Sequence, residues 1–251
     1  MQNTNHHKQP KPFGNWPASI SAELVTRGAP GLSNIQSNSD RLFWVENRPW
    51  EAGRNVIMCR TKDGVISDLL PSGFSHHSRV HEYGGRAYAV ADNWLYFVNG
   101  NDQCIYKLDL NNHRDPLPIT NPGLRYADLI LDETHQQLIA VCEEHPVTDS
   151  HGSEAENYLV AISLKGDQKG IKKLVTGADF YAYPSISPNA KKLCWIQWNH
   201  PHMPWDCTQL WQASIGAEGL NDLELVAGGE DNEAIFQPRW SPDNQLFYVS
   251  D

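Results

Sequence analysis

No apolar run in the 251 residues approaches the roughly 20 that a membrane-spanning helix needs. Positive charge is scarce: 20 Lys and Arg stand against 30 Asp and Glu, a formal net charge of −10. That balance disfavours a nucleic-acid binder, whose phosphate contacts need a basic face. Cysteine is sparse and odd in number. Cys59, Cys104, Cys142, Cys194 and Cys207 include no C-x-x-C pair, and most sit in apolar runs such as Leu193-Cys194-Trp195. They read as reduced core thiols of a cytoplasmic protein rather than as a disulfide framework or a metal site. Residues 1–12 lack the apolar stretch of a signal peptide and read as a polar, disordered N-terminus. No stretch of a dozen residues combines helical periodicity with caps. A Gly-x-Ser-x-Gly is missing too: Gly73-Phe74-Ser75-His76-His77 comes nearest and lacks the second glycine of a nucleophile elbow.

What the chain does have is a core and a repeat. Hydrophobic residues make up 40% of it, with 9 Trp and 9 Tyr, which no disordered acidic segment would carry. Five segments share a polar turn, a leucine and then alternating aromatic or β-branched residues. Their leucines, Leu42, Leu95, Leu138, Leu193 and Leu246, recur at intervals of 43 to 55 residues. A short strand-like segment precedes each turn and two more follow, as in Ala127–Leu131, Tyr158–Ile162 and Lys173–Thr176 around Leu138. Four short strands per period define a β-propeller blade. A β-sandwich has similar turn spacing but no reason to restart one motif every fourth strand. The expected fold is therefore an all-β propeller with blades at 31–71, 78–121, 125–177 and 180–228 and a fifth begun near Ala234. An incomplete ring of about four and a half blades, out of seven or eight, would leave sheet faces and edges open and points to part of a longer protein.

Several segments occur together in one group of proteins: Phe13-Gly14-Asn15-Trp16-Pro17, Arg79-Val80-His81-Glu82-Tyr83-Gly84-Gly85, Gly177-Ala178-Asp179-Phe180-Tyr181, His200-Pro201-His202-Met203-Pro204-Trp205-Asp206 and Phe236-Gln237-Pro238-Arg239-Trp240-Ser241-Pro242-Asp243. In these the chain resembles the prolyl oligopeptidase family of serine peptidases, in its acylaminoacyl-peptidase and dipeptidyl-aminopeptidase-like branch. The resemblance implies an opening segment over 13–30, a propeller over 31–251, and a C-terminal α/β-hydrolase domain, absent from this chain, that carries a Ser-Asp-His triad. It implies no catalytic residue here. It implies a lid that gates and orients short peptides for that hydrolase partner, without cofactor or metal. The alternatives are a stand-alone propeller that binds a protein or small ligand, and a propeller enzyme with its own channel site.

Antiparallel strands put the loop between second and third strands of each blade on the same face as the approach to each first strand. Arg48–Glu51, Arg79–Tyr83, Glu143–His145 with its long loop, and Asn199–Asp206 then share a face, expected to meet the hydrolase domain. The candidates for gating or for that interface are Arg79, His81, Glu82, Tyr83, Glu143, Glu144, His202, Trp205 and Asp206. His81 and Glu82 have a structural alternative, hydrogen bonding to neighbouring blades, and Gly84-Gly85 would then serve close packing. Glu143-Glu144 could hold a peptide ammonium, as a glutamate pair does in dipeptidyl peptidases, although the local motif differs from theirs. Trp205 reads as an interface anchor. His200 and His202 lack a defined third ligand, and the intervening proline favours a rigid loop over a zinc site.

Overall fold

The computed structural model describes residues 10–15, 20–26, 28–112, 115–146, 154–165, 170–229 and 233–251. The expected disorder of 1–12 falls largely outside them, as do residues 16–19 and 27 of the opening segment and most of the long loop after His145. Among the described residues, helix is confined to Ala22–Thr26 (α1) and a 3-10 turn at Pro49–Glu51.

Strands follow the repeat. The first sheet holds β1 (Gly31–Ser37), β2 (Arg41–Arg48), β3 (Arg54–Thr61) and β4 (Ile66–Asp68). The second holds β5 (Tyr88–Val90), β6 (Trp94–Val98), β7 (Ile105–Asp109) and β8 (Leu117–Pro118). The third holds β9 (Leu124–Asp132), β10 (Gln137–Glu144), β11 (Glu156–Ser163) and β12 (Ile171–Val175). The fourth holds β13 (Phe180–Ile186), β14 (Lys192–Trp198), β15 (Gln209–Gly216) and β16 (Gly219–Gly228), and β17 (Ile235–Trp240) pairs with β18 (Leu246–Ser250) in a two-stranded fifth. Every sheet is an antiparallel meander in chain order, and each repeated leucine lies at or near the start of a second strand.

The alternation of side chains along a strand explains how the sheets stack. On β6, Leu95 and Phe97 pack with Phe43, Val45 and Ile57 of the first sheet, while Tyr96 and Val98 pack with Tyr126 and Leu138 of the third. On β10, Leu138, Ala140 and Cys142 face the second sheet, whereas Ile139 and Val141 join Leu193 and Trp195 of the fourth. On β14, Cys194, Ile196 and Trp198 turn the other way, toward Ile235 of the fifth. A central second strand is thus apolar on both faces because both faces are interfaces, which is why it reads as an unbroken hydrophobic run. All five cysteines are buried, as core thiols should be.

The first strands carry a second repeat. Register breaks occur in β1, β9, β13 and β17, and each contains a left-handed residue: Asn34 (φ 52°), Asp128 (φ 52°), Tyr183 (φ 52°) and Gln237 (φ 51°). An extra residue at each of these points bends the strand and re-aims its side chains. These bulges lie on the inner strands, beside the space that the sheets enclose.

Candidate functional site

A cavity of about 420 Å³ draws its walls from four of the sheets and from the segment that leads into the second, from Asn34 of the first sheet to Ile235 and Phe236 of the last. It reaches outward to Tyr83, Pro204 and Trp205. Tyr83 and Trp205, with 68% and 67% of their surfaces exposed, stand at its mouth. Trp50, at the turn between β2 and β3, is another exposed aromatic.

His81 and Glu82 both adopt positive φ, 53° and 63°, in the turn before Gly84. The His81 amide donates to Glu143 Oε2 at 2.7 Å. Its ring stands edge-on to Phe180 and Trp198, at centroid distances of 5.2 and 5.7 Å, so one residue ties the second sheet's turn to the third and fourth sheets. Burial pushes the His81 imidazole below its ordinary pKa, with the Glu143 charge opposing. Burial also raises the Tyr83 phenol.

Glu143 is 4% exposed and is the hub of an ion cluster. Arg125 Nη1 donates to Glu143 Oε1 at 3.0 Å, to Glu82 Oε1 at 2.6 Å and to the Arg79 carbonyl at 3.0 Å, and His145 Nε2 lies 2.6 Å from Glu143 Oε1. The Arg125 hydrogen bond and charge hold the Glu82 carboxyl below its usual range. Glu82, Glu143 and His145 approach one another closely enough to hold a cation. The Arg125 guanidinium already sits between the two carboxylates, so this donor set fits an ion pair cluster rather than a metal centre. Arg79 turns away, its Nη2 donating to the Gly100 carbonyl at 3.2 Å.

Glu143 and Glu144 do not converge. Successive strand residues point to opposite faces, and Glu144 Oε2 instead accepts from Tyr158 Oη at 2.8 Å, with Lys173 Nζ at 3.6 Å. Asp206 closes its own loop: Oδ2 accepts the Met203 amide at 3.0 Å, and the Asp206 amide donates to the Met203 carbonyl at 2.9 Å. That loop presents Trp205 outward. His202 is half-buried beside it, and His200 Nε2 reaches Glu154 Oε2 at 3.0 Å.

Four residues that the sequence did not single out organise this region: Arg86, Arg125, Asp128 and Arg239. Asp128 Oδ1 accepts the Arg86 amide at 3.0 Å and Oδ2 accepts the Tyr183 amide at 2.7 Å, so one buried carboxylate joins three neighbouring sheets. A charge inside the apolar run Ala127-Asp128-Leu129-Ile130-Leu131 was the available signal. Gly84 (φ 80°) has room for no side chain, since a Cβ would stand 2.8 Å from the Ser78 carbonyl oxygen.

Radially stacked antiparallel sheets around a shared cavity define the class: these are the blades of a β-propeller. Among solved structures, the chain is similar to a puromycin-hydrolyzing peptidase of Mycobacterium tuberculosis (34% identity over 97% of this chain, TM-score 0.87) and to a puromycin hydrolase (29% identity over 96%, TM-score 0.85). These are peptidases of the prolyl oligopeptidase family, and the chain corresponds to their propeller part. It spans 39% of the length of each. TolB of Acinetobacter baumannii, at 15% identity and a TM-score of 0.54 over 86% of this chain, shares the fold alone. No family model and no curated protein matches the chain. Among the described residues, no helix is long and apolar enough to cross a membrane.

Proposed function

We propose that this chain, with residues 31–251 as its propeller, is the non-catalytic lid of a cytoplasmic serine peptidase, and that it gates and orients short peptides for an α/β-hydrolase domain of the same polypeptide. The observation that carries the reading is 34% identity over 97% of the chain to a peptidase of which the chain spans only 39%. The remaining length of such a protein is where a nucleophile elbow would lie, and this sequence has none. The face bearing Trp50, Tyr83 and Trp205 is the docking face in this reading. Exposed aromatics anchor interfaces, and the cavity opens between two of them.

The test has two parts. Coding sequence beyond Asp251 should specify a Gly-x-Ser-x-Gly followed in order by Asp and His. Purified residues 1–251 should leave puromycin and acyl- or dipeptidyl-chromogenic substrates intact, while the full polypeptide hydrolyses at least one of them. Trp205→Ala in the full polypeptide should raise KM for short peptides more than it lowers kcat. Robust hydrolysis by residues 1–251 alone, or a downstream sequence without that motif order, overturns the reading.

A further inference from the structure

A second cavity, of about 450 Å³, lies along the inner strands and shares Asn34 and Arg86 with the first. Its walls come from β1, β5, β9 and β17, so it is the channel between the blades. Apolar residues such as Ile35 and Leu129 alternate there with Asn34, Gln36 and Ser37. Among the described residues, its only charged lining groups are two guanidiniums, Arg86 and Arg239. A chain with ten more acids than bases has placed two cations and no carboxylate on this wall.

Neither guanidinium donates a hydrogen bond to a carboxylate of a described residue. Arg86 Nε and Nη2 are buried and make no hydrogen bond; the nearest carboxylate oxygen, Asp128 Oδ1, is 3.6 Å from Nε. Both Asp128 oxygens are engaged by the Arg86 and Tyr183 amides. Arg86 is nonetheless held in place, its guanidinium 5.5 Å from the centroid of the Tyr183 ring. Arg239 makes no ion pair with any described residue. Burial, and then the charge of Arg86, push its guanidinium below the ordinary arginine range, with Tyr183 and Asp128 opposing. Like charges placed together in a partly dry cavity, with donors unspent, are complementary to an anion.

We propose that Arg86 and Arg239 form an oxyanion-binding site in the propeller channel, one that takes a carboxylate or phosphate group through paired guanidinium donors. Planar N–H forks match the two oxygens of such a group. Asn34 and Gln36 supply further polar contacts on the same wall. The inference stands whether or not the chain serves a peptidase, because it concerns binding alone.

The test is calorimetric titration of the purified chain at low chloride with three probes: an N-acetylated dipeptide with a free C-terminal carboxylate, the same dipeptide as its amide, and inorganic phosphate. At least one of the two anions should bind at millimolar concentration or below and raise the melting temperature, and the amide should bind about tenfold more weakly or not at all. Tighter binding by the dipeptide identifies a peptide C-terminus as the source of the oxyanion; tighter binding by phosphate identifies a phosphate. Arg239→Gln should weaken the anion about tenfold while leaving the unliganded melt in place, since this side chain holds no structural ion pair. Arg86→Gln should weaken it further, and because Arg86 packs on Tyr183, Arg239→Gln is the deciding variant. Equal binding of the amide, unchanged affinity in Arg239→Gln, or no binding of either anion overturns the site.

Discussion

Asp128 shows how one side chain can fix the spacing of blades. Its partners are the amides of Arg86, 42 positions before it in the segment leading into the second sheet, and of Tyr183, 55 after it in the fourth sheet. Its left-handed backbone (φ 52°) suits Asp or Asn and costs most other residues strain. Asp128→Ala removes two charge-assisted acceptors from half-buried amides and should destabilise the fold by about 2–4 kcal/mol. Asp128→Asn keeps one acceptor and the backbone preference, and should lose less than half as much. Urea unfolding of the two variants checks this; equal losses would mean that charge, rather than hydrogen-bond geometry, dominates. Gly84→Ala belongs to the same scale. Positive φ and a Cβ at 2.8 Å from the Ser78 carbonyl oxygen should together cost about 1–3 kcal/mol in the same assay. A loss under about 0.5 kcal/mol would show that the His81–Gly84 turn yields easily.

At the scale of the strand, β18 departs from the second strands β6, β10 and β14, whose side chains are mostly buried on both faces. Phe247, Tyr248 and Val249 are 58%, 40% and 57% exposed, although Cys194, Trp195 and Ile196 at the matching places in β14 are buried. β18 pairs only with β17 among the described strands, so its other edge offers unpaired amides and carbonyls beside a β-branched, aromatic surface. The purified 251-residue polypeptide should therefore self-associate as its concentration rises. Phe247→Lys together with Val249→Lys should suppress this, measured by light scattering across a concentration series. A monomer at every concentration would contradict it. The contrast between β14 and β18 also marks how far the sequence could be read. Strand number, order and sheet membership were legible because leucine-anchored apolar runs report burial directly, at a period that only blades explain. The bulges were not, because Asn34, Asp128, Tyr183 and Gln237 share a conformation but not a residue type. Glu143 and Glu144 look alike as neighbours in sequence, and only pairing with β9 and β11 decides that one meets Arg125 while the other meets Tyr158. The unassigned arginines, Arg86 and Arg239, stayed hidden for the same reason: their surroundings are assembled from strands far apart in the chain.

For the molecule as a whole, cohesion resides in the interfaces between sheets, and one of them holds a titratable group in a dry place. His76 is 3% exposed, lies between the first two sheets and stands edge-on to Tyr88 at 5.4 Å. Its amide donates to the Asn55 carbonyl, while its Nδ1 has no partner. Desolvation, helped by neighbouring His77, pushes its pKa down to about 3. The unfolded chain takes up a proton at this position below about pH 6.5, and the folded chain refuses it until about pH 3. Stability from this group is therefore complete above pH 6.5 and falls by about 1.4 kcal/mol per unit as the pH drops toward 3. His81, shifted the same way, adds to the trend. Carboxylates that titrate in the same range contribute as well, so the comparison that isolates His76 is with His76→Phe, which keeps a ring against Tyr88 and loses the proton site. Between pH 7.5 and pH 5 the wild type should lose about 2 kcal/mol more than this variant in urea unfolding. Parallel pH profiles would mean that water reaches His76 and that the interface between the first two blades is looser than its packing implies.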